Sequence, residues 1–288
     1  MTRKGLLREL TKKIAPPNLL EKVPKGFEII GDIAILNIPR ELEEYRFNVA
    51  ETLLNYLKPR IRLVVRRTSP AKDPERVHNY EILAGSGSFE TLHRESGCVF
   101  KLDISKVFFT SRLQYERYRI ASIVKPGELI INMFAGVGPY SIIIAKRVPG
   151  VKVYSIDVNP EAYRFMVENI KLNNVEDKVV PLLGDASEVI DTHDLKGIAD
   201  RVLMPSPEHA INHLVKAVKA LKREGFIHYY DVACRVDDLQ GYVEDKVSPI
   251  LDDLNLEWKI SFVRPIRSVA PYKRYVCADI YLNKKRAC

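Results

Sequence analysis

The sequence predicts an α/β protein built around a doubly wound, mostly parallel sheet with an antiparallel hairpin at one edge and a small α/β domain ahead of it. Three observations carry that prediction. From Glu128 onward, strand-like and helix-like runs alternate; the last two strand-like runs are separated only by a loop; and the chain before residue 95 has a strand and helix pattern of its own.

Taken in order, residues 1–22 read as a charged arm with one or two helical turns, broken by Pro16-Pro17 because proline lacks the N–H that a helix interior needs. Residues 23–95 read as the small domain. In it, "FEIIGDIAILNIP" places two β-rich runs around Gly31-Asp32, a tight-hairpin pair. Leu42–Leu57 has apolar residues at helical spacing, and "IRLVVRRTS" and "YEILAG" read as further strands. Residues 96–288 form the large domain. "ELIINMFA" is a strand, Pro139–Arg147 a helix, "VKVYSID" a strand and Pro160–Asn173 a helix. "VVPLLGDA" and "ADRVLMP" are strands, Glu208–Arg223 a helix and "GFIHYYDV" a strand. Right-handed crossovers lay such strands side by side in parallel. "EWKISFVRPI" and "RYVCADIYL" have no helix between them and must pair antiparallel. This ending favours a seven-stranded class I, Rossmann-like methyltransferase sheet over a dehydrogenase sheet.

Composition narrows the class further. A chain of 288 residues, 46% hydrophobic and 28% charged, has enough apolar material for a substantial core. Its longest apolar run, 128–137, is far short of the ~20 residues of a membrane span, and "MTRKGLLRELTKK" lacks a signal-peptide core, so a cytoplasmic protein is expected. Cys98, Cys234, Cys277 and Cys288 are scattered, and His78, His93 and His209 have no partner at ligand spacing, so neither a disulfide framework nor a metal site is expected. The net charge of +8 suits a polyanionic partner without identifying one.

The chemistry-bearing residues fall at strand ends. "ELIINMFAGVGPYS" closes on Gly136 and Gly138, where small residues let a ligand approach the start of the next helix. Asp157 ends the following strand 21 positions after Gly136, where an acid can accept both hydroxyls of a ribose, although it also suits a helix cap before Pro160. Asp185 follows Gly184 at the next strand end and suits an adenine amino group. With no third glycine and no phosphate-binding lysine, adenosine without pyrophosphate fits better than NAD or ATP. S-adenosylmethionine is the expected cofactor, as group donor.

The runs "VFKLDISKVFFTSRLQYERYRIASIV", "NMFAGVGPYSI", "IDVNPEA", "ENIKLNNV" and "ADRVLM" resemble the archaeal and eukaryotic tRNA (guanine-37-N1) methyltransferases and their relatives in wyosine synthesis. The resemblance runs from about Phe27 to the C-terminus. It implies that Phe108, Arg112 and Phe134 flank the cofactor, with Arg112 on a carboxylate and Phe134 against the nucleoside. It implies Glu116 as general base, or as a group that orients Arg117 and Arg119, and Arg76 as the cation opposite charge developing on the base. Two departures matter. Asn132 replaces the usual aspartate of the glycine-turn motif, and Pro205 replaces the asparagine of "N-L-P" in the methyltransferases. Proline has no hydrogen-bonding side chain.

The wyosine-pathway aminocarboxypropyltransferase resembles this chain better at that strand end. The activity implied is transfer of the 3-amino-3-carboxypropyl group to a tricyclic wyosine precursor at position 37 of tRNA(Phe), releasing methylthioadenosine. The alternatives are guanine-37-N1 methylation and a non-catalytic tRNA-binding protein. Arg66, Arg67 and Arg117, in basic runs interleaved with apolar and aromatic residues, are expected to contact tRNA phosphates near the anticodon loop. A monomer with no membrane partner is expected.

Overall fold

The computed structural model describes residues 3–12, 14–24, 26–69, 76–270 and 272–284. The chain divides into two compact units, Met1–Arg112 and Leu113–Cys288.

The first unit opens with α1 (Arg3–Thr11), whose Leu7 joins a core that also takes in Ala15 and Val23. The expected charged arm is therefore packed, because its apolar residues have a sheet and helix to cover. The predicted hairpin is present as β1 (Glu28–Ile30) and β2 (Ile33–Leu36), antiparallel. Its turn glycine, Gly31, has φ +57, and an added Cβ would lie 2.0 Å from the Thr91 hydroxyl, so only glycine fits. A 3-10 turn (Arg40–Tyr45) leads into α2 (Arg46–Leu57), a shorter helix than the spacing predicts. β3 (Leu63–Arg67) pairs parallel with β2 and antiparallel with β4 (Tyr80–Gly85). Val49, Ala50, Leu53 and Leu54 of α2 fill the core over this sheet.

A second hairpin, β5 (Glu90–Glu95) with β6 (Cys98–Asp103), carries the first unit past the boundary expected at residue 95. Its turn residues Ser96 and Gly97 both have positive φ, 51° and 80°, as a tight two-residue hairpin turn requires.

The second unit begins with α3 (Gln114–Ile123), then β7 (Leu129–Asn132), α4 (Pro139–Arg147), β8 (Lys152–Asp157), α5 (Pro160–Leu172), β9 (Val179–Leu183) and α6 (Ala186–Thr192). It continues with β10 (Ala199–Met204), α7 (Leu214–Ala220), β11 (Leu221–Cys234), α8 (Leu239–Asp253), β12 (Leu256–Ala270) and β13 (Lys273–Lys284). The helix expected at Glu208–Arg223 is shorter: a 3-10 turn covers Ala210–His213, and Leu221 is already extended at the start of β11. Helix α8 was not anticipated, although Asp238 caps it and Val243, Val247 and Leu251 repeat every fourth residue on its buried face.

The seven strands lie in the order β12-β13-β11-β10-β7-β8-β9. The central pairings are parallel, while β13 is antiparallel to both β11 and β12. This is the methyltransferase-type sheet with its reversed C-terminal hairpin. Ile131, Ile156, Val202, Ile227 and Ile280, from five adjacent strands, meet in one core that α6, α7 and α8 cover.

Candidate active site

In a parallel sheet the loops that leave the strand ends share one rim, and ligands bind there. Gly136 and Gly138 adopt φ of 57° and 86°, which a side chain disfavours. A Cβ on Gly138 would lie 3.1 Å from both Ile142 and Met166, so the turn presents bare backbone. The Asp157 carboxylate accepts the Gly136 N–H at 2.6 Å and the Asn159 N–H at 3.0 Å. It thus ties one strand end to the next glycine turn, and a carboxylate at this rim suits a diol. Asp185 caps α6, accepting the Ser187 and Glu188 N–H groups; both bonds fall on Oδ1, leaving Oδ2 for another donor such as an amino group.

Phe134 stands edge-on to His213, with ring centres 5.3 Å apart. His213 Nδ1 lies 2.8 Å from the Ser187 hydroxyl. Burial holds the His213 pKa below its ordinary value against the pull of Asp185. Sequence reasoning missed His213 because a single histidine in a helix-start segment carries no pattern.

Asn132 behaves differently from a ligand-facing residue. It has no exposed surface, donates to Ser141 Oγ at 3.1 Å and accepts the Phe134 N–H at 3.4 Å, while Ser155 donates to the same Ser141 hydroxyl at 2.6 Å. It braces the turn from beneath, so its influence on a cofactor is indirect. Pro205 is half-buried at the end of β10, where the register Leu203↔Asn132 sets it on the same rim. It offers that rim no donor.

Glu116 sits at the centre of a buried polar chain that the sequence did not disclose. Arg119 donates to both of its oxygens, at 3.0 and 2.8 Å, and Arg264 and Tyr230 donate at 2.6 and 3.0 Å. Burial raises the carboxyl pKa, but the two guanidiniums more than reverse this and leave it below the ordinary range. Arg119 also grips Asp279 at 2.7 and 3.0 Å. Asp279 accepts from His228 Nδ1 at 2.6 Å, and the His228 Nε2 lies 3.2 Å from Arg201. Because Arg201 can only donate, His228 is neutral with its proton on Nδ1. The available signal was a lone acid and a lone histidine inside apolar strands, "VCADIYL" and "GFIHYYDV".

Other expected residues lie in the first unit. Arg76 stacks over Phe108 at 4.6 Å. The buried Glu28 carboxylate gathers Arg67 at 3.1 Å, the Ser111 N–H at 3.1 Å and the Thr110 hydroxyl, with Arg112 3.9 Å away and half-exposed. Two phosphate-contact expectations need correcting. Arg66 is already paired with the carboxylates of Glu43 and Glu81, and Arg117 is 2% exposed on the packed face of α3, so neither is poised to meet a phosphate. Arg67, on the opposite strand face, is shared between Glu28 and solvent. Cys98 and Cys277 are buried and Cys234 is exposed, while Cys288 lies outside the described residues. Among the described residues no His, Cys, Asp and Glu group is arranged to hold a metal, and no helix is long and apolar enough to cross a membrane.

Comparison with known proteins agrees with this geometry. The TRM5/TYW2 methyltransferase domain matches residues 91–254, and the TYW2 N-terminal domain matches residues 7–88. The tRNA 4-demethylwyosine(37)-methyltransferase Taw21 of Saccharolobus solfataricus is 38% identical over 90% of this chain and 94% of its own. The tRNA(Phe) (4-demethylwyosine(37)-C(7)) aminocarboxypropyltransferase of Pyrococcus horikoshii is 36% identical over 79% of each. Among solved structures, Trm5b of Pyrococcus abyssi superposes with a TM-score of 0.84 at 33% identity, covering 94% of this chain and 80% of that one. TYW2 of P. horikoshii in complex with MeSAdo does so with 0.80 at 30%, covering 98% and 100%. On sequence, sheet order and rim chemistry together, the chain belongs to the TRM5/TYW2 methyltransferase family.

Proposed function

We propose that this chain transfers the 3-amino-3-carboxypropyl group of S-adenosylmethionine to the tricyclic wyosine precursor at position 37 of tRNA(Phe). The observation that carries the reading is Pro205: a strand end without a donor stands where the methyl-transferring relatives are expected to have an asparagine. The match of residues 7–88 to the TYW2 N-terminal domain supports it. So does the relative crystallised with MeSAdo, whose ligand is the by-product expected of this transfer.

The sulfonium of S-adenosylmethionine activates each of its attached carbons, and the carbon transferred is the one held in line with the nucleophile. In this reading Asp157 accepts from the ribose hydroxyls, Asp185 Oδ2 from the adenine amino group, and Gly136 and Gly138 admit the nucleoside to the backbone. Phe134 packs on the base, with His213 behind it. Asn132 fixes the turn, and Arg112 takes a carboxylate. Glu116 orients Arg119 and Arg264 rather than accepting a proton, and Arg76 faces the charge that develops on the acceptor base.

A second reading, methyl transfer to the same tricyclic base, is favoured by the near end-to-end match to Taw21. Donor labelled separately in its methyl and carboxyl groups separates the two. The proposal expects carboxyl label in tRNA and methylthioadenosine in solution. Methyl label in tRNA with S-adenosylhomocysteine released would overturn it in favour of methylation.

A further inference from the structure

Helix α3 and the C-terminal hairpin of the second unit carry large aromatic side chains in the open. Tyr115, Tyr118, Phe262 and Tyr272 are 68%, 44%, 39% and 71% exposed. Each has an arginine over its ring: Arg264 at 4.7 Å, Arg147 at 4.4 Å, Arg119 at 4.7 Å and Arg235 at 5.4 Å, respectively. Two of these pairs, Arg264 with Tyr115 and Arg119 with Phe262, cross between α3 and β12, so the helix and the hairpin share their arginines and rings. The sequence from Lys259 to Tyr275 adds Lys259, Arg264, Arg267, Lys273 and Arg274 with no carboxylate among them.

We propose that α3 and the β12–β13 hairpin form a stacking surface for unpaired nucleotides of the tRNA. This rests on tRNA being the substrate. The chemistry selects single-stranded RNA: the cations meet the phosphates, and flat rings beside guanidinium planes accept base faces that a duplex keeps stacked internally. A protein strand is a poor occupant. β12 is the sheet edge, but its register breaks at 260/262, 265/267 and 268/270, and Pro265 removes an N–H, so the edge does not extend smoothly by strand addition. The surface also leads to the candidate site. Arg264 joins Tyr115 to Glu116, Tyr230 donates to Glu116, and the Tyr230 ring lies 6.2 Å from Tyr140 in the first turn of α4, next to the Gly138 turn.

The test uses the full chain, a short unstructured RNA and the precursor tRNA, with binding followed by fluorescence anisotropy. Phe262→Ala and Tyr272→Ala should each weaken binding of both RNAs about ten-fold, the scale of one base–aromatic stack, without changing S-adenosylmethionine affinity. Phe262→Tyr and Tyr272→Phe keep the ring and should bind as wild type, which separates stacking from misfolding. Arg267→Gln and Arg274→Gln should each lower the salt dependence of binding by roughly one unit of slope. If both alanine variants bind RNA within about two-fold of wild type, or the ring-keeping variants lose as much as they do, the stacking surface is overturned. In that case wild-type release of methylthioadenosine on precursor tRNA leaves the proposed function standing. A wild-type chain that binds neither RNA overturns both.

Discussion

Glu116 has no exposed surface, yet two guanidiniums and a phenol hold it ionised, so nearly all its acceptor capacity is committed before a substrate arrives. The same residue could be read from the sequence alone as a general base. The difference lies in Arg264 and Tyr230, which are far away in the chain and invisible to any local motif. If Glu116 orients rather than accepts protons, the kcat/KM profile of the wild type should show no acid limb near pH 6, and Glu116→Gln should lower activity without moving the profile. An acid limb in that region that disappears in the variant would make Glu116 the base. Asp157 is the clearer case, because its strand-end position was legible and the structure adds the Gly136 hydrogen bond. Asp157→Ala should weaken S-adenosylmethionine binding by ~1.5–3 kcal/mol in a folded protein, as measured by calorimetry.

Among the elements, the turn between β7 and α4 concentrates the constraints. Gly138→Ala places a Cβ in the left-handed region and against Ile142 and Met166, and should cost ~1–2 kcal/mol from the backbone alone. A thermal melt reads that loss, and cofactor affinity should fall with it because the turn must shift. The helices α4 and α5 were legible almost residue by residue because each starts at a proline, and β8 to within one residue, whereas β7 stops at Asn132 although the run that reads as a strand continues to Ala135. Legibility failed where two signals compete. "KREGFIHYYDV" begins with charged residues that suit a helix end, yet pairing with β10 and β13 draws Leu221–Glu224 into the strand. The β5–β6 hairpin was passed over although its alternation and Ser96-Gly97 turn were present in the sequence.

For the whole molecule, the buried chain from Arg201 through His228 and Asp279 to Glu116 sets a pH dependence. Burial holds His228 below its ordinary value of 6.5. For Asp279, burial acts upward, but hydrogen bonds from His228 and Arg119 hold it well below its ordinary 3.8, and Glu116 is likewise held below 4.5. A group with a depressed pKa binds fewer protons folded than unfolded, so its stabilisation is present above the unfolded pKa and lost as pH falls through the folded one. The melting temperature should therefore fall as pH drops below about 6.5 and fall further below about 4.5. His228→Asn should reduce the upper stage, to which His213 and His78 with their lowered pKa values also contribute, and leave the lower one, as followed by calorimetry across that range. The parallel sheet and its reversed edge could be read from element order alone, whereas this chain joins α3, β10, β11 and β13 and exists only once the strands have been brought together.

β13 is the last strand among the described residues and has a strand on either side, β11 and β12. During synthesis, at ~5–20 residues per second from the N-terminus, β11 and β12 emerge before the strand that separates them. Until it arrives, β11 lacks its outer neighbour and β12 has nothing to pair with, so both are open to sticking to another chain. The bulges and Pro265 of β12 then have a second consequence, earlier in the life of the molecule: they make the waiting strand a poor template while the ribosome finishes its partner.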